Sequence, residues 1–166
     1  GNDPPATAVT ESWNGSAWTE VADLNTARSA LAGVGASNTS ALAFGGNLYA
    51  QTETWNGSSW TEVADLNDSR EWLAGAGNVS AAVGFGGQSP GYTANTELWN
   101  GSSWTEVNNL NTARAYMAGA GTSTSAVGFG GFHPPNTNDA LTESWDGSSW
   151  TETGDLNQAR YGLAGS

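Results

Sequence analysis

Apolar and polar residues alternate along this chain in short bursts that recur at a nearly regular interval. The stretch Thr10–Val21, "TESWNGSAWTEV", places Trp13 and Trp18 on either side of Asn14-Gly15, and the same line returns around Trp55/Trp60, Trp99/Trp104 and Trp145/Trp150. Period-2 patterning interrupted by Asn-Gly predicts a hairpin, with a type I′ turn centred on Asn14 and Gly15, because that dipeptide tolerates positive φ at both central positions. That register puts Glu11 opposite Trp18, with Trp13 and Trp18 as diagonal neighbours on one face.

Two further strands precede each hairpin. The small-residue runs Ser29–Gly35, Glu71–Gly77 and Ala115–Gly121 are too rich in Gly and Ala to make stable strands unless another backbone approaches closely. They are expected to be the innermost strands. A polar turn then leads to an apolar strand ending in Phe-Gly-Gly, at Phe44–Gly46, Phe85–Gly87 and Phe129–Gly131. The unit therefore reads as four antiparallel strands. The Trp pairs are 42, 44 and 46 residues apart. A period of that size marks a supersecondary unit that buries its apolar face only by stacking on its neighbours.

Read in this order, the unit resembles the Kelch repeat: an apolar strand ending in Gly-Gly (Phe44-Gly45-Gly46), an aromatic in the third strand (Trp55), a Trp in the fourth (Trp60), then an Arg before the next unit (Arg70). It carries Trp where Kelch units usually have Tyr in the third strand, and a short Asn-Gly turn. The resemblance implies an all-β fold, a β-propeller of four-stranded antiparallel blades. Residues 28–69, 70–113 and 114–159 are then complete blades of a single propeller segment spanning 1–166. Residues 1–27 supply the outer two strands of a split blade and 160–166 its innermost strand. The expectation is a window on a longer array, or a subunit completed by another chain, in a ring of about seven or eight blades. Kelch-like propellers include protein-binding modules, lectin-like domains and enzyme scaffolds, so the resemblance implies no single activity.

Charge narrows the choices. The net charge of -12 argues against nucleic acid and against anionic membrane surfaces. No apolar run is long enough for membrane insertion as a helix. All four cations, Arg28, Arg70, Arg114 and Arg160, occupy one repeat position. Each is expected to bridge adjacent blades by donating to a carboxylate or to strand-end carbonyls, which suits the planar guanidinium fork. The chain has no Cys and one His, His133, so neither a thiolate metal site nor a nucleophilic triad has its parts, and no cofactor or metal is expected. Paired glutamates recur identically in every unit, which marks architecture rather than glycosidase chemistry.

What differs between units is the loop after Phe-Gly-Gly and the residues just after Arg. In an up-and-down blade these emerge on one face. Tyr49, Trp72, Tyr92, Tyr116, Phe132, His133 and Tyr161 are therefore candidates for a partner-binding rim. The plainer reading is that they cover blade edges. The expected function is a noncatalytic structural or interaction module, extracellular or on a virion surface. Its expected partners are further repeats of the same array, or copies of itself, and a protein ligand on the rim; the alternative is a lectin-like propeller binding a glycan.

Overall fold

A computed structural model describes residues 5–135 and 137–165. Its regular elements are all strands: β1 (Glu11–Trp13), β2 (Trp18–Glu20), β3 (Ala32–Ser37), β4 (Ser40–Phe44), β5 (Thr52–Trp55), β6 (Trp60–Glu62), β7 (Ala74–Asn78) and β8 (Ala81–Phe85). Then follow β9 (Thr96–Trp99), β10 (Trp104–Val107), β11 (Ala118–Thr122), β12 (Ser125–Phe129), the short pair β13 (Phe132–His133) and β14 (Thr137–Asn138), β15 (Thr142–Trp145) and β16 (Trp150–Glu152). They form three four-stranded antiparallel sheets, ordered β3-β4-β5-β6, β7-β8-β9-β10 and β11-β12-β15-β16, with β1-β2 and β13-β14 as two-stranded ribbons.

The hairpin register departs from the sequence expectation. Trp13 lies directly opposite Trp18 and Glu11 opposite Glu20, with the same pairing in the other three copies. The loop is thus four residues long, and only its Gly has positive φ. The cause is the Asn side chain. Asn14 Oδ1 accepts from the backbone N–H of Ser16 and of Ala17, holding the chain in a wider turn than a type I′ connection allows. The direct pairing sets the two indoles of a hairpin against each other at 42–45°, with ring centres 5.4–5.5 Å apart in each copy.

The core lies between successive sheets. Phe44 and Leu42 of the first sheet pack with Ala82, Trp99 and Trp104 of the second, and Phe85 and Val83 of the second with Ala126, Trp145 and Trp150 of the third. Full burial of each Phe contributes about 1.5–3 kcal/mol. Glycines make this approach possible. A Cβ on Gly75 would lie 2.6 Å from Phe44 Cζ, and one on Gly119 would lie 2.6 Å from the Gly75 carbonyl oxygen. The small-residue strands β3, β7 and β11 accordingly run side by side.

Candidate functional site

Two constructions concentrate the polar and aromatic chemistry of the chain. The first is a joint between successive sheets, repeated three times. Arg70 follows the first sheet, and its backbone N–H donates to the Tyr49 carbonyl while its own carbonyl accepts from Gly46 N–H. Its side chain crosses to the second sheet. One terminal nitrogen donates to the carbonyls of Gly86 and Asn95, and the other to Glu97 Oε1 at 2.7 Å. Glu97 Oε2 accepts from the backbone N–H and the carboxamide of Asn67. Arg28 with Asn25 on Glu53, and Arg114 with Asn111 on Glu143, repeat the arrangement.

All three ion pairs are buried. Hydrogen bonds to both terminal nitrogens and to both carboxylate oxygens sustain each desolvated pair, while Nε of each Arg is buried without a hydrogen-bond partner among the described residues. Burial pushes the Arg28 and Arg70 guanidinium groups below the usual arginine range, opposed by Glu53 and Glu97 respectively. Asn25, Asn67 and Asn111 are not singled out by the sequence reading. Their signal is position, three residues before each Arg, where an Asn recurs in every unit. A further link crosses each joint from the indoles: Trp60, Trp104 and Trp150 donate through Nε1 to the hydroxyls of Thr10, Thr52 and Thr96 at 3.0–3.1 Å. Arg160 is different. It is exposed, and its side chain reaches only the Gln158 carbonyl among the described residues.

The second construction is an aromatic cluster. Trp72 stacks on Tyr116 with ring centres 4.4 Å apart, and Tyr116 meets Phe132 and Tyr161 edge-on. Tyr92 completes it against Phe132. Tyr92, Tyr116, Phe132 and Tyr161 line an open cleft of about 230 Å³. Linkers after Arg and loops after Phe-Gly-Gly thus contribute to one surface, while Tyr49 stands apart, exposed, in the equivalent loop of the first sheet.

The backbone beneath this cluster is unusual. Trp72 and Tyr116 have φ of 56° and 58°, in the left-handed region that bulky residues avoid, and Ala30 and Gly162 adopt it at the same repeat position. The gain is a ladder of backbone hydrogen bonds running from the first sheet onward: Trp72 N–H to Ala30, Tyr116 N–H to Trp72, Gly162 N–H to Tyr116. His133, the remaining rim candidate, is hydrogen-bonded through Nδ1 to the buried Asp139, which no sequence pattern singled out. Among the described residues no group of three His, Asp or Glu side chains converges. Compared with protein-family models and with curated proteins, the chain matches none of them.

Proposed function

We propose that this chain is a noncatalytic interaction module, a segment of a Kelch-like β-propeller whose sheets are successive blades and whose variable rim binds a protein partner outside the cell or on a virion surface. The observation that carries the reading is the cluster of Trp72, Tyr92, Tyr116, Phe132 and Tyr161. It is assembled from the segments in which the units differ, on joints in which they are alike. Aromatic rings with a polar edge are suited to contact surfaces because they bury large area at small entropic cost. Two of them stand on the left-handed backbone of the ladder between sheets, which fixes where their rings emerge. The repeated carboxylates, by contrast, are absorbed in the joints: Glu53, Glu97 and Glu143 already accept from Arg and Asn.

A lectin-like activity is the second reading, favoured by the exposed ring of Tyr161, which offers a flat platform for a sugar face. A glycan array probed with the chain and with Tyr161→Ala separates the two. The interaction reading expects no glycan to be retained above background. Saturable retention that the Tyr161→Ala chain loses would overturn it in favour of the lectin.

A further inference from the structure

We infer that the two ends of the stack are the separated halves of one more joint, and that each end docks a second copy of this chain, head to tail. The inference extends the interaction reading above but rests on the joints rather than on the rim.

Each internal joint has a guanidinium side and a carboxylate side. The guanidinium side is an Asn and an Arg after the fourth strand, together with a Thr hydroxyl at the start of the third strand that accepts from an indole. The carboxylate side is the Glu of the next sheet's third strand and the Trp of its fourth. At the C-terminal end of the stack the guanidinium side stands open. Asn157 and Arg160 occupy the positions of Asn111 and Arg114, both are exposed, and neither meets a carboxylate among the described residues. The Thr142 hydroxyl, in the position at which Thr52 and Thr96 accept from Trp104 and Trp150, is buried without a hydrogen-bond partner. Val127 is 37% exposed where its counterparts Leu42 and Val83 are fully covered by the next sheet.

The β1–β2 hairpin at the other end shows the complement. Glu11, counterpart of Glu53, Glu97 and Glu143, is exposed and makes no ion pair among the described residues. Trp18, counterpart of Trp60, Trp104 and Trp150, is 64% exposed. Placing Glu11 and Trp18 of one copy on Asn157, Arg160 and Thr142 of another reproduces the carboxylate and indole contacts of the internal joint. Asn157 and Arg160 would bind the Glu11 carboxylate, Asn157 would also reach the Trp18 carbonyl as Asn111 reaches that of Trp150, and Trp18 Nε1 would satisfy the Thr142 hydroxyl. These contacts use only third and fourth strands, which the hairpin supplies by itself. The backbone ladder that begins at Ala30 and ends at Gly162 points the same way, since its two ends belong to opposite faces. The charges are complementary, cation on one face and carboxylate on the other. A buried hydroxyl left unpaired costs free energy that docking would recover. An interface of this kind is heterologous, so it either closes into a ring or propagates.

The test is the mass of the chain in dilute solution, by native mass spectrometry and light scattering, for the parent and for Glu11→Arg and Arg160→Glu. Both positions are exposed, so each variant should keep the parent's circular dichroism. The inference expects a dimer or larger head-to-tail assembly for the parent and monomers for each variant alone. Mixing the two variants should restore association, because one chain keeps a native hairpin and the other a native C-terminal face. A monomeric parent, an Arg160→Glu chain that assembles like the parent, or variants that stay monomeric when mixed would each overturn it. Loss of assembly would leave the rim reading standing, and glycan retention would leave the joint standing.

Discussion

The joints between sheets and the aromatic rim lie a few residues apart in sequence, yet they are built on opposite terms. In the joints the same residues recur at nearly the same distances, 3.0, 2.7 and 2.8 Å from Arg to Glu. At the rim the side chain changes in every unit, from Ala30 to Trp72, Tyr116 and Gly162, while the backbone conformation stays left-handed throughout. The difference teaches where the constraint sits. The joints hold side chains constant because a buried Arg and Glu each lose their main partner if the other changes. The rim holds only φ constant, because the ladder is made of backbone, and this leaves side-chain chemistry open to variation.

Breaking a joint is expected to produce the largest effect. Glu97→Ala would leave the Arg70 guanidinium buried without its carboxylate, a loss of about 3–5 kcal/mol, read as a fall in the denaturation midpoint. Gly119→Ala is expected to cost less, about 1–3 kcal/mol, by forcing a methyl against the Gly75 carbonyl and Phe85. Its signature is a lower midpoint with an unchanged denaturant slope.

The variable loops should respond in the opposite direction. Asn47 and Leu48 both have positive φ, and Tyr49 N–H donates to the Gly46 carbonyl, which is the geometry of a type I′ turn. Leu48→Gly would place Asn-Gly where that turn is made, with an expected gain of up to about 1 kcal/mol. A loss of stability would show that Leu48 packs more than its 45% exposure indicates.

The smallest effect lies in the hairpin loops. Asp146 stands where the other units have Asn, and its carboxylate accepts from the backbone of Ser149 and from the side chain and backbone of Ser148, lowering its pKa to about 2. A depressed carboxylate stabilises the fold above its unfolded pKa and loses that contribution as pH falls through the folded value. A slight loss of stability between the ordinary carboxylate range and pH about 2 is therefore expected, and Asp146→Asn should remove it. An unchanged acid profile in Asp146→Asn would locate the acid sensitivity elsewhere.

Strand order and sheet membership of the three four-stranded sheets were legible in the sequence, because each is written in a short-range pattern: small residues in β3, β7 and β11, Phe-Gly-Gly after β4, β8 and β12, and Trp at the ends of each hairpin; the β13–β14 ribbon was not, and residues 160–165, expected as an innermost strand, form none. Register was not, since Asn14 competes for the backbone through its side chain, a choice that the Asn-Gly dipeptide does not reveal. The type I′ geometry appeared instead at Asn47-Leu48, where Leu conceals it. At the site, the recurrence of one Arg per unit drew attention to the joint, but the Asn partners and the Thr hydroxyls were hidden among many similar residues in a chain rich in both. The rim aromatics were legible as departures from the repeat, whereas Asp139 under His133 became visible only through proximity.

Each joint divides its chemistry between neighbouring units, the Asn at the end of one and the Arg and Glu of the next. A tandem duplication of the coding segment therefore creates a finished interface at once, with no compensating substitution, and a deletion removes one just as cleanly. Substitutions are treated differently: a change to the Glu in one unit is felt by its Arg and by the Asn in the unit before it, so drift in any of them is checked by the others. Such a gene is free to change in length and slow to change in the residues that join its units.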